Sequence, residues 1–164
     1  MSLQRRDLRV QSFTLTVPSE QKKMNLVISP FSLDAYENVM ILWKESEGIG
    51  LSGADSQESI RSYLERNPNM SLVAKDVNGT LIGAVLCGHD GRRGYIHHLA
   101  VRSDYRRQGI GRKLVEEVLS RLQAVGIQKC HLFIINDNVS GIEFWKSLGW
   151  IPRTDIGVIS KDIL

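Results

Sequence analysis

The order of patterns between residues 95 and 135 constrains this chain more than any other feature. An apolar run over 95–101 leads into the basic glycine turn Arg106-Arg107-Gln108-Gly109-Ile110-Gly111-Arg112-Lys113. A helical run then extends over 109–125, and a second apolar run covers 129–135. A helix of this length is a long enough crossover for the two flanking strands to pair in parallel. The turn that opens the helix also has the makings of an anion site. The first N–H groups of a helix lack intrahelical acceptors, and the helix dipole adds partial positive charge at that end. Glycine lets the backbone approach a ligand with no Cβ in the way. A pyrophosphate is the ligand such a turn suits best.

The patterns before the turn read as an antiparallel meander. Strands are predicted over 71–77, 81–87 and 95–101. The first two are joined at Asn78-Gly79, the strongest short hairpin signal, and the last two at Asp90-Gly91-Arg92-Arg93-Gly94. A further strand is predicted over 25–28. A helix is predicted from the cap Ser32 to about Ser46, with Leu33, Tyr36, Val39 or Met40, and Trp43 inward. A second runs from about Ser56 to Arg66, with Ile60, Tyr63 and Leu64 inward. Between them, 47–56 contains Gly48, Gly50 and Gly53 and reads as a flexible loop. The helix over 109–125 buries Ile110, Leu114, Val118, Leu122 and Val125. Asn138 caps a last helix to about Leu148, and a final hairpin is predicted over 150–153 and 158–163. The fold class is therefore α/β (α+β): a mixed sheet, antiparallel at first and locally parallel around the turn, with about four helices.

Residues 1–23 are polar without a sustained period and read as a flexible N-terminal extension. Residues 24–164 read as a single domain. The net charge of +3 is mild, and Arg102, Arg106, Arg107, Arg112 and Lys113 exceed it on their own, so a local phosphate site accounts for the excess. No nucleic-acid motif and no interleaving of exposed aromatics is present, so no nucleic-acid partner is expected. No apolar run approaches the roughly 20 residues of a membrane span. Cys87 and Cys130 sit in apolar runs without metal-ligand spacing. They read as buried thiols in a reducing, cytoplasmic setting, with no metal expected.

The glycine turn is not a Walker A loop, because no Gly-Lys-Ser/Thr follows at the required spacing. It is not the dinucleotide fingerprint either, since Leu114 stands where the third glycine would fall. What stands here is Arg-x-x-Gly-x-Gly, preceded by His98-Leu99-Ala100-Val101. Downstream come Asn136-Asp137-Asn138 and then Ile142-Glu143-Phe144-Trp145-Lys146-Ser147-Leu148-Gly149-Trp150. In this order and spacing, from about Leu26 onward, the chain resembles the GNAT (GCN5-related) N-acetyltransferase superfamily. It looks closest to small bacterial members of the YpeA-like and ribosomal-protein N-acetyltransferase-like kind.

The resemblance implies acetyl-CoA as donor and a primary amine as acceptor, on a small molecule or a peptide or protein. A non-catalytic acyl-CoA-binding sensor of the same fold is the alternative. The resemblance also allows a homodimer without requiring one. It implies that amides from Gln108, Gly109, Ile110 and Gly111 bind the pyrophosphate, with Arg106, Arg107, Arg112 and Lys113 neutralising phosphate charge. Leu99 and Val101 would pair with the pantetheine arm as an added strand, and the N–H of Leu99 or Ala100 would serve the oxyanion. Asn138 and Trp145 match positions beside that arm.

An amine with a pKa near 10 is almost fully charged at neutral pH, so a base must take its proton. His97 has a suitable intrinsic pKa, and Tyr95 occupies a position where some members carry a glutamate base. Alternation places Tyr95, His97, Leu99 and Val101 on one face, and Ile96, His98 and Ala100 on the other, where His98 reads as structural. Many members carry a tyrosine general acid where this chain has Trp145, and an indole only donates a hydrogen bond. The loop over 47–56 and the second helix correspond to the acceptor region. There, and on the 89–94 turn that the resemblance also places on the acceptor side, Glu47, Asp55 and Asp90 are candidates to attract a cationic amine, and Arg92 and Arg93 to hold a carboxylate.

Overall fold

The computed structural model describes residues 11–15 and 24–163. One sheet holds β1 (Gln11–Leu15), β2 (Met24–Pro30), β3 (Leu72–Lys75), β4 (Leu81–His89), β5 (Gly94–Val101) and β6 (Cys130–Leu132), side by side in chain order. All neighbours are antiparallel except β5 and β6, which are parallel. The α-helices are α1 (Tyr36–Lys44), α2 (Gln57–Arg66), α3 (Ile110–Ala124) and α4 (Val139–Ser147). The meander, the crossover and the parallel pair follow the sequence reading. Two compact units are present within the span read as one domain, one ending at Phe133 and the other beginning at Ile134.

Three local expectations are corrected. First, β1 lies inside the stretch read as a flexible extension, yet Gln11–Leu15 pair with Met24–Ile28. The short alternation of Phe13 and Leu15 with Ser12 and Thr14 is masked by the polar sequence on either side, and an edge strand needs only a backbone ladder. Residues 1–10 and 16–23 of that expectation lie outside the described residues. Second, the first helix opens as a 3₁₀ turn, Leu33–Ala35, and Ser32 makes no side-chain cap bond. Third, the terminal hairpin does not form. Among the described residues after α4 there is no strand, and Val158 and Ile159 stay exposed. An isolated two-stranded hairpin is marginal in water, and among the described residues the second unit contains no further strand to extend it.

In the first unit, α1 buries Tyr36, Val39, Leu42 and Trp43 in one cluster with Ile60 of α2 and with Val73, Ala84, Leu86 and Ala100 of the sheet. Ser56 caps α2 by accepting the Ser59 N–H. The opposite sheet face receives α3 through Ile110, Leu114, Val115, Val118 and Leu122. Two strand glycines let that helix come close. A Cβ on Gly83 would stand 3.1 Å from Leu114 Cδ1, and one on Gly94 would stand 2.6 Å from Leu122 Cδ1. Each large aliphatic side chain buried this way contributes about 1.5–3 kcal/mol.

One ion pair is buried with this helix. Arg121, at 1% side-chain exposure, donates from Nε to Glu117 Oε1 at 2.9 Å and from Nη1 to the Asn69 carbonyl at 2.9 Å. It thereby ties α3 to the turn after α2. Glu117→Ala would leave a buried guanidinium without its carboxylate, and is expected to cost about 3–5 kcal/mol in urea unfolding. Glu117→Leu combined with Arg121→Met should recover most of that loss. A single variant as stable as the parent would show that the pair is not coupled to folding.

Candidate active site

The site begins with the free edge of β5. Its register with β4 pairs Val101 with Gly83, Ala100 with Ala84 and Leu99 with Val85. The Arg102 N–H donates to the Ile82 carbonyl at 2.9 Å. In an antiparallel ladder the bonded pairs alternate. Ala100 therefore directs its backbone groups at β4, while Leu99 and Val101 direct theirs away from it. The Val101 carbonyl is accordingly open to the Arg106 side chain, whose Nε donates to it at 3.0 Å. On that open side β6 pairs only with Gly94, Tyr95 and Ile96. From His97 to Val101 no strand among the described residues covers the edge. This favours Leu99 over Ala100 as the N–H donor.

The turn at the end of β5 is built as the sequence suggested. Gly109 is the N-terminal cap of α3, with φ 82° and ψ 5°. A Cβ here would meet nothing of the chain itself within 4 Å, and the positive φ by itself favours glycine at this position. Arg107 is also left-handed, at φ 57°, a strained conformation for a residue with a side chain. Intrahelical bonding starts only at Lys113, whose N–H donates to the Gly109 carbonyl at 3.0 Å. No side chain caps the helix and no acidic residue stands in its first turn. The N–H groups of Ile110, Gly111 and Arg112 thus head the helix without intrahelical acceptors, among the exposed Arg106, Arg107 and Arg112. The side chain of Ile110 is buried, so only its amide is presented at the turn. Gln108 turns its side chain back to the Asp104 carbonyl at 3.4 Å. Arg106 also lines a cavity of about 570 Å³ on the α1 side, with Ile41, Glu45 and Arg102.

Around His97 the structure departs from simple alternation. Leu86 pairs with His98 and Cys87 with Ile96, so His97 is the extra residue of a β-bulge. The His97 ring lies 5.5 Å from that of Tyr63 on α2 and 6.3 Å from that of Tyr95. The His98 ring meets Trp43 of α1 at 4.8 Å. Both histidines therefore face the α1–α2 side, and His97 does not share a face with Leu99 and Val101. His97 stays exposed at the surface, yet desolvation by its surroundings pushes its pKa below the ordinary value, the neighbouring His98 lowers it further, and Asp55 opposes the shift. His97 thus stays neutral near pH 7, with a ring nitrogen able to accept a proton.

His98 and Asp55 form a pair that sequence reading missed. His98 Nε2 donates to Asp55 Oδ1 at 2.8 Å, with side-chain exposures of 13% and 7%. Asp55 is therefore committed to His98 and is not a free carboxylate for the acceptor. Asp90 is engaged as well, accepting the Arg92 and Arg93 N–H groups at 2.8 Å each, and these bonds hold its carboxyl below the usual range. Tyr95 reaches Asp90 Oδ2 at 3.5 Å and stands 6.0 Å from the His131 ring. Cys87 is buried as expected, whereas Cys130 is half-buried; burial pushes the Cys130 thiol up to about 11.

Asn138 and Trp145 belong to the second unit. Asn138 caps α4, its Oδ1 accepting the Gly141 N–H at 3.0 Å. Trp145 packs edge-on against Phe144 at 5.2 Å and Trp150 at 4.8 Å.

A family model for the acetyltransferase (GNAT) family matches residues 36–150. The chain belongs to the GNAT acetyltransferase family. It is an acyltransferase by that membership. An acetyltransferase of Yersinia pestis (strain Pestoides F) is 32% identical over 126 residues, which span 77% of this chain and 88% of the relative. Among solved structures, the NatC complex bound to Gag peptide and CoA is similar with a TM-score of 0.65 and 25% identity, over 77% of this chain and 84% of that one. The PaiA N-acetyltransferase of Thermoplasma acidophilum, in complex with coenzyme A, has a TM-score of 0.67 at 21% identity, over 75% and 87% of the two chains. Among the described residues of this acetyltransferase, no helix is long and apolar enough to cross a membrane.

The turn geometry generates a direct test. Gly109→Val places a β-branched residue at φ 82° and should displace the first turn of α3 while the fold survives. Affinity for coenzyme A, used as a pyrophosphate-bearing probe in titration calorimetry, is expected to fall on the order of tenfold or more. Unchanged affinity would remove the turn from the binding site.

Proposed function

We propose that this GNAT protein transfers the acetyl group of acetyl-CoA to a primary amine, with His97 as the base that takes the amine proton. The observation that carries this reading is the juxtaposition, along one strand, of a neutral histidine at the bulge, a free backbone edge over Leu99 and Val101, and an uncapped basic helix end. The site chemistry fits the group. The N–H groups at the head of α3, with Gly109 left-handed, would hold the pyrophosphate. Arg106, Arg107, Arg112 and Lys113 supply compensating charge.

Leu99 and Val101 offer outward N–H and C=O groups with which an extended pantetheine arm would pair as an added strand, once Arg106 leaves the Val101 carbonyl. When bound, acetyl-CoA supplies the activated acyl carbon. The Leu99 N–H is the backbone donor available to an acyl oxygen on that edge. The amine approaches from the side of α1, α2 and the loop between them, where His97 and Tyr95 stand. The peptide in the NatC complex supports a peptide amine as the acceptor class. The unpaired Cys87 and Cys130 favour a reducing compartment, the cytoplasm.

One observation favours a second reading, a non-catalytic acyl-CoA sensor: Trp145 stands where many members of the family carry a tyrosine acid. Coenzyme A binding without turnover on any amine would select it. Turnover selects the enzyme.

His97→Ala is expected to lower kcat by about 10²-fold with the coenzyme A Kd unchanged. Only neutral His97 accepts a proton, and partial desolvation depresses its pKa. In the parent, kcat/KM should therefore rise with pH through a midpoint below the ordinary 6.5 of histidine and stay level above it until the amine itself begins to titrate. A midpoint above 6.5, or an acid limb that persists in His97→Ala, would assign the base elsewhere.

A further inference from the structure

The loop between α1 and α2 is pinned to the sheet by one buried carboxylate. Asp55 closes a capping box with Ser52: its Oδ2 accepts the Ser52 N–H at 2.9 Å, while Ser52 Oγ accepts the Ala54 N–H at 3.2 Å. Tyr36 of α1 donates its hydroxyl to the Asp55 carbonyl at 2.8 Å. The remaining carboxylate oxygen, Oδ1, takes the His98 Nε2–H of β5 at 2.8 Å. Asp55 therefore joins the loop, α1 and β5 at one point. The glycine-containing segment that sequence reading left flexible ends in this knot.

The place where the knot meets the sheet matters. His98 directly follows the bulge residue His97, and both rings point to the α1–α2 side. The His98 ring is fixed from a second direction by Trp43, which is fully buried and stands edge-on at 4.8 Å. A carboxylate as buried as Asp55 is expensive to leave unpaired, so the bond to His98 strongly favours one loop position. The backbone that carries His97 is held by the same bond.

We propose that the Asp55–His98 pair is a positioning device that locks the 45–56 loop onto β5 and so sets where an acceptor amine lies relative to His97. The inference rests on the reading of the α1–α2 side as the acceptor side. Neither residue touches the reacting atoms in this scheme. They act through the loop on one side and the bulge on the other.

Three variants test it: His98→Ala, His98→Gln and Asp55→Asn. Glutamine keeps an N–H donor for Asp55 and so is the conservative rescue. Two readouts are taken on each. Hydrogen exchange by mass spectrometry follows residues 45–56, and steady-state kinetics uses tri-alanine and polylysine as amine probes. His98→Ala and Asp55→Asn are expected to lose protection selectively over 45–56 and to raise the amine KM about ten- to hundredfold. The coenzyme A Kd should stay within about twofold of the parent, well under the tenfold that 1.4 kcal/mol would produce. His98→Gln should restore both loop protection and KM.

Unchanged protection over 45–56 in His98→Ala overturns the proposal. So does a loss of protection spread evenly over the sheet with no rescue by glutamine, which would make the pair an ordinary stabilising contact. If the parent acetylates neither probe, the acceptor reading fails on its own. The exchange arm then still decides whether the loop is locked by this bond.

Discussion

The site depends on how β5 is paired. Along one edge it is antiparallel to β4 for its whole length. Along the other it is parallel to β6 for three residues and then unpaired. Backbone N–H and C=O groups need partners, and an interior strand that lacks them on one side is a template for an extended ligand. The alternation of bonded pairs with β4 decides which residues do this work: Leu99 and Val101 face outward, and Ala100 does not. The same strand runs into the turn whose uncapped helix end suits a phosphate. An extended arm with a pyrophosphate at its end therefore matches the order of features along one continuous backbone segment.

The bulge at His97 adds the chemical group. Inserting one residue opposite the step from Leu86 to Cys87 puts two consecutive histidines on the α1–α2 side. One of them keeps an exposed face and a lowered pKa. The other is half-buried, packed against Trp43 and bonded to Asp55. Adjacent residues of the same type thus take different roles because their surroundings differ. His97 meets aromatic edges that desolvate it, and His98 meets a carboxylate that uses its proton.

Polar groups inside this unit serve to fix long-range geometry. Arg121 and Glu117 hold α3 to the turn after α2, and His98 and Asp55 hold the α1–α2 loop to β5. Each buried charge costs free energy to desolvate, and each recovers it only in one arrangement of its partners. These pairs accordingly specify position more than they add stability. Without the bond to His98, the loop over 45–56, with three glycines in its sequence, would be held by the Tyr36 bond to the Asp55 carbonyl and by the packing of Ile49 and Leu51 on the core.

The sequence alone determined the elements whose causes are local. Asn78-Gly79 lies in the turn between β3 and β4, Asn138 caps α4, and the apolar stripe of α3 faces the sheet as far as Leu122, with Val125 left exposed beyond the helix end. Each follows from residues a few positions apart, where turn chemistry and helical period act directly. The crossover is also long enough to allow the parallel pair. Only the tertiary structure decided the bulge, the choice of Leu99 over Ala100, and the bond between Asp55 and His98 across 43 positions. Period-2 alternation cannot reveal a bulge, because one inserted residue reverses every face that follows it and leaves no mark in composition. A pair so distant in the chain is set by strand register and helix packing together, and neither is written in any local stretch.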